Sequence, residues 1–210
     1  VPSVIMVAIG SVMNYFLNLI LFSFSKLAVA VFGAYFKVQS MAFMPVFGLN
    51  NGMIPIISYN YGAQRPDRMK RTMKLGVMVG CSIMLFCLVI MQAFPGQILK
   101  IFDATDDMLS MGIPAVRIMS TAFIFAGFSV TCSGMFQAVG KGVYSMIVSM
   151  ARQLFVILPV AYFLSKAMNS VNGVWTAFPI AEIFSVIIST FLLLRVYKKI
   201  VKPLERGQIE

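Results

Sequence analysis

The stretch GLNNGMIPIISYNYGAQRPDRMKRTMK, residues 48–74, decides how this chain is read. An apolar segment loosens into Gly, Asn and Pro and then ends in Arg65, Arg68, Lys70, Arg71 and Lys74. From Leu75 to Phe94 the sequence is apolar again. A spanning helix, a basic cytoplasmic loop and a second spanning helix have this pattern, because Lys and Arg beside a span oppose its translocation. A soluble domain has little reason for so sharp a charge step between two apolar runs.

The rest of the chain agrees. Of 210 residues, 60% are hydrophobic and 11% charged, and the mean hydropathy is +0.89. Soluble domains carry about 25% charged residues, so this chain lacks the charge to cover a soluble globule. The net charge of +10 does not call for nucleic acid, since the basic residues sit at segment ends instead of spreading over one face. Attraction to anionic headgroups of the lipid bilayer follows from the same residues.

A helix crosses the hydrocarbon core with about 20 apolar residues. Six segments qualify, at residues 2–24, 28–61, 75–94, 108–139, 143–165 and 171–194. The expected fold is all-α, a polytopic membrane bundle of six transmembrane helices. The second and fourth segments are too long for a simple crossing, so each is expected to protrude, bend or include an interfacial piece. Arg65–Lys74, Lys141, and the final cluster Arg195, Lys198, Lys199, Lys202 and Arg206 fall on one side. The other side holds Lys26, Lys100, Lys166 and the acids Asp103, Asp106 and Asp107. The basic side is cytoplasmic by the positive-inside rule, which places both termini there in a multi-pass protein of the plasma membrane. The acidic run IFDATDDML lacks the spacing of an EF-hand. Asp103 or Thr105 reads instead as a helix N-cap before Met108.

Catalysis finds no support. The chain has no His, and Cys81, Cys87 and Cys132 lack metal-ligand spacing. No Gly-rich phosphate loop follows a strand. The expectation is no enzyme, no metal and no cofactor.

Charges at bilayer depth are costly and usually face a cavity or a partner. Lys37 lies about 9 residues into its segment, roughly 14 Å, and Glu182 about 11 residues into its own, roughly 16 Å. A shared cavity lets the two pair; local packing beside Pro179 is the alternative for Glu182. Arg117 and Arg152 lie within about three turns of segment ends, where Arg side chains snorkel to the interface.

Helical spacing aligns Ser11, Asn14 and Asn18; Lys37, Ser40, Met41, Met44, Gly48 and Asn51; Ser129, Ser133 and Gln137; and Glu182, Ser185 and Ser189. Such stripes turn away from lipid, either to bond a neighbouring helix or to line a cavity. Asn14, Asn18, Lys37, Ser40, Met41, Met44 and Glu182 are the candidate substrate-cavity residues. Met41 and Met44 suit varied apolar ligands, though Met also fills helix interfaces. Pro45, Gly48, Gly52 and Pro55 interrupt one helix and mark it for bending, as a static kink or a moving one.

The sequence opens on Val1 inside hydrophobic sequence and shows no internal repeat. One half of a two-lobed transporter is therefore expected. Residues 35–71, YFKVQSMAFMPVFGLNNGMIPIISYNYGAQRPDRMKR, resemble the eighth helix and following loop of the multidrug and toxic compound extrusion (MATE) family. FQAVGKG at 136–142, ARQ at 151–153 and GVWTAFPIAE at 173–182 resemble its tenth-to-eleventh loop, eleventh helix and twelfth helix, with a bacterial cast in PIAE. The resemblance runs through the whole chain, in order. It implies the C-terminal half, helices seven to twelve, of a secondary antiporter. Such a transporter exports small amphipathic, often cationic drugs in exchange for protons or sodium ions, and its partner here is the N-terminal six-helix half. Some members carry a coupling carboxylate in the seventh helix, but residues 2–24 contain no acid. The H+ or Na+ site is therefore expected in the N-terminal half. A lipid-linked saccharide flippase, favoured if Lys37, Arg117 and Arg152 make a cationic cavity, and a non-transporting membrane module or channel are the alternatives.

Overall fold

A computed structural model describes residues 2–205, with side chains from Val4 onward; Arg206, at the end of the basic cluster, lies outside the described residues. Among the described residues the chain is helical, without strands. Helix α1 is Pro2–Phe22, α2 is Lys26–Gly62, α3 is Pro66–Ala93 and a short α4 is Pro95–Lys100. Helices α5 (Asp106–Ser120) and α6 (Phe123–Ala138) follow. Helix α7 (Gly142–Met150) passes through a π-helical segment, Ala151–Ile157, into α8 (Leu158–Ala167). Helix α9 (Asn172–Val196) passes through a second, Tyr197–Val201, into α10 (Lys202–Glu205). Five helices are long and apolar enough to cross a membrane, and there are six if the bent α5–α6 pair counts as one span.

Local chemistry sets the helix ends. The Ser25 hydroxyl accepts the Ala28 N–H at 3.0 Å and starts α2. Thr105 accepts the Met108 N–H at 3.4 Å and starts α5, so Thr105, and not Asp103, is the cap. The basic stretch after Arg65 is helix and not loop. Pro66 and Asp67 open α3, where a missing N–H costs nothing and a carboxylate meets the helix dipole. Lys70, one turn in, pairs with Glu205 of α10 and ties the two basic clusters together. The sixth span likewise runs past residue 194 to Glu205.

The long fourth segment bends by 51° between α5 and α6. The Ser120 and Thr121 hydroxyls donate to the carbonyls of Arg117 and Ile118 at 3.2 and 2.6 Å. Gln92 of α3 adds Nε2 bonds to the Arg117 carbonyl at 2.8 Å and Ser120 Oγ at 2.9 Å. The backbone groups loosened by the bend thus find partners, as apolar surroundings demand. By contrast, α2 runs unbroken through Pro45 and Pro55.

Close approach of small residues joins α3 to α6. A Cβ on Gly127 would lie 2.9 Å from the Gly80 carbonyl oxygen and 3.0 Å from Cys81 Cα, so only Gly fits there. Two apolar clusters fill the bundle. One, at the end carrying α4, is aromatic: Phe32 stacks on Trp175 at 6.4 Å, and Phe178 packs against Tyr35 at 6.3 Å. The other, at the end carrying α10, gathers Met53, Ile57, Met69, Met135 and Val196. The buried polar residues Asn50, Ser129, Gln153, Glu182, Ser185 and Ser189 belong to neither cluster.

Candidate functional site

Two cavities adjoin all of these polar residues except Ser189 and share Phe43, Phe47, Arg152 and Gln153 as walls. The larger measures about 450 Å³, within the range of small-molecule sites. It is lined by Met6 and Val7 of α1, Asn50, Asn51 and Ile54 of α2, Ser129, Ser133 and Gln137 of α6, and Ser185 of α9. The smaller, about 230 Å³, is lined by Gly10, Met13 and Asn14 of α1, Phe36, Gln39 and Ser40 of α2, and Phe178 and Glu182 of α9.

At their junction Arg152 Nη1 donates to Glu182 Oε1 at 2.7 Å. The side chains are 22% and 10% exposed, so little water screens the pair. Such a pair recovers its large desolvation penalty only through close geometry, and removing one partner strands the other's charge. Glu182 Oε2 has no protein partner and is buried in the same place.

The π-helical segment presents Arg152 and Gln153 side by side to both cavities. Pro159, just beyond it, donates no N–H, and its ring crowds the carbonyl four residues earlier, inside the segment. Wider π turns of this kind are frequent at functional sites. On the opposite wall, Asn50 is held by a 3.0 Å bond from Nδ2 to the Val130 carbonyl. It fits because residue 134 is Gly: a Cβ there would come within 2.7 Å of Asn50 Cγ.

The structure distributes the sequence candidates unevenly. Asn14, Ser40 and Glu182 come together in the smaller cavity. Asn18, Lys37, Met41 and Met44 line neither cavity. Met41 and Met44 are 66% and 70% exposed, on the outside of the bundle. Lys37 is exposed and its Nζ stands 6.0 Å from the centre of the Phe102 ring, beside the turn between α4 and α5. It does not pair with Glu182, which is taken by Arg152. Pro45, Gly48, Gly52 and Pro55 share an exposed face of α2, with nothing within 4 Å of a Cβ on Gly48 or Gly52. Arg152, expected to snorkel to the interface, is instead half-buried in the site and paired with Glu182. Gln153 and Asn50, which no spacing in the sequence singles out as candidates, also line the site. The i, i+4, i+8 stripe Ser129–Ser133–Gln137 does line a wall.

The MatE family profile matches residues 2–163 of this chain. The chain belongs to the MATE family. A multidrug export protein, MepA, of Staphylococcus haemolyticus is 25% identical over 193 residues, which are 92% of this chain and 42% of that protein. The MepA of Staphylococcus aureus strain MSSA476 is 25% identical over 176 residues, 84% of this chain and 39% of that one. The chain thus spans less than half the length of these curated relatives. An outward-facing multidrug resistance MATE transporter of the MOP superfamily superposes with TM-score 0.88 at 21% identity, covering 98% of this chain and 46% of that one. An inward-facing structure superposes equally well, with TM-score 0.88 at 21% identity over 99% of this chain and 48% of that one. These likenesses establish the fold: a six-helix bundle that superposes on about half of a MATE transporter structure.

Proposed function

We propose that this chain is the C-terminal half of a bacterial multidrug exporter, an antiporter that expels small amphipathic, often cationic drugs against an inward flow of protons or sodium ions. The observation that carries the reading is a pair of adjoining cavities with apolar and aromatic walls and a buried carboxylate, in a chain similar to proteins named for multidrug export. Aromatic walls suit flat apolar rings, and their faces also attract cations. The flippase alternative loses its motive here, because Glu182 neutralises Arg152 while Lys37 and Arg117 line neither cavity.

The exposed Pro–Gly face of α2 and the open sides of the cavities suit cover by the N-terminal six-helix half. Alternating access then works across that seam. With no acid in α1 and Glu182 already paired, the coupling ion is assigned to the other half. Both termini and the start of α3 are assigned to the cytoplasm. Reconstituted with its other half under an imposed pH or sodium gradient, the protein should accumulate a drug such as ethidium. The 210-residue chain alone should not. Gradient-driven uptake by this half alone would overturn the half-transporter reading and make Glu182 the leading ion-coupling residue. Cysteines at Asp67 and Asp107 should label from opposite sides of the membrane; labelling from the same side would overturn the topology.

A further inference from the structure

The two most cationic stretches of the chain lie far apart in sequence and meet in the fold. Five cations fall within Arg65–Lys74, around the start of α3, and four more, Arg195, Lys198, Lys199 and Lys202, lie at the end of α9 and just beyond it. Met69 of α3 shares an apolar cluster with Val196, Ile200, Val201 and Leu204, and Lys70 pairs with Glu205. The segment 197–205 is two-sided as a result. Ile200, Val201 and Leu204 are buried against the bundle, while Lys198, Lys199 and Lys202 are exposed.

So many like charges at one seam repel one another and call for counter-charge. The acids that the seam offers, Asp67 and Glu205, both face the same cation: Asp67 lies 3.9 Å from Lys70, and Glu205 touches it. Among the described residues, none of the other eight cations pairs with a carboxylate.

The neighbouring surface decides which anion fits. Lys70, Lys74 and Met78 recur every four residues along α3 and so share a face. Met78 is exposed, and so are Phe191 and Leu194, one to two turns before Lys198. Lys74 is one turn deeper than Lys70, and Lys198 precedes Glu205 on the way out of the bundle. Both therefore lie between the Lys70–Glu205 pair and the exposed apolar side chains. A polynucleotide or an acidic protein has nothing to place on that apolar part. A phospholipid has a phosphate for the cations and acyl chains for the apolar surface.

We infer that the seam between the start of α3 and residues 197–205 is a binding site for an anionic phospholipid, with Lys74 and Lys198 at the phosphate and Met78 and Leu194 at the acyl chains. This goes beyond the export reading and does not depend on it. Glu205 holds the two cationic stretches together, and the headgroup neutralises what Glu205 leaves.

The test gives the full transporter in detergent equal amounts of phosphatidylglycerol and phosphatidylcholine and counts the bound lipids by native mass spectrometry. The wild type should prefer phosphatidylglycerol. Lys74→Gln should lower the bound ratio roughly fivefold, and Lys74→Gln with Lys198→Gln roughly 30-fold. Lys141→Gln removes an exposed cation outside both stretches and should change the ratio less than about twofold. Thermal midpoints should hold, because none of these side chains belongs to the Lys70–Glu205 pair or the apolar cluster. Equal losses for Lys74→Gln and Lys141→Gln would mean a diffuse attraction of the whole face and would overturn the site. So would a wild type without preference. Glycerophosphoglycerol, the same headgroup without acyl chains, should not displace the lipid at equal concentration; displacement would overturn the assignment to lipid.

Discussion

Lys37 and Glu182 look alike in the sequence: each is a lone charge near the middle of an apolar segment. In the bundle they part. Glu182 is buried and held by Arg152 at 2.7 Å, where two cavities meet. Lys37 is exposed beside Phe102, at the turn after α4. The difference lies in the helices that carry them. Helix α2 runs for 37 residues, far more than a crossing needs, so distance from its start does not measure depth. Helix α9 buries one face along the stretch that carries Glu182: Ala181, Glu182 and Ser185 are buried, while Ile183 and Phe184 on the other face are exposed. A charge's place in a membrane protein follows from what surrounds its helix, and counting along that helix does not show this.

That contrast predicts unequal mutational costs. Glu182→Ala should have the largest effect. It leaves the Arg152 charge uncompensated, which costs about 3–5 kcal/mol in buried pairs, with a value near the lower end here because the pair borders open cavities. Thermal unfolding of the full transporter measures this, and a midpoint equal to wild type would show that the pair does not hold the bundle. Gly127→Val should come next. Its Cβ would press on the Gly80 carbonyl and the Cys81 backbone, so α3 and α6 must separate at a cost of about 1–3 kcal/mol. Unaltered stability would mean that the helices meet less closely than described. Lys37→Ala should be smallest, within about 0.5 kcal/mol, as for other exposed residues. A loss comparable to that of Glu182→Ala would erase the distinction between the two charges.

Much of the fold was legible in the sequence, because apolar run length and loop charge are local signals. The Thr105 cap and the Ser129–Ser133–Gln137 stripe were legible for the same reason, each needing only short-range spacing. The bend at Ser120–Phe123 has no proline at the break, and its freed carbonyl is met by Gln92, 25 residues away. No local pattern announces that. Local spacing does not place Arg152, because its partner is 30 residues distant and its π-helical setting shifts side chains off the ordinary helical register. Asn50 and Asn51 both line the larger cavity, and what buries Asn50 is the room that Gly134 leaves on another helix, which no local spacing shows.

Exchanging the two charges tests the buried pair most directly. Arg152→Glu and Glu182→Arg are made singly and together in the full transporter, and ethidium efflux is measured at matched protein levels. If the pair anchors the cavities, each single variant places two like charges at the junction and should lose at least roughly tenfold in efflux, while the double variant restores the attraction and recovers most of it. A double variant as impaired as the sum of the two singles, or a single variant with wild-type efflux, would contradict the role assigned to Arg152 and Glu182.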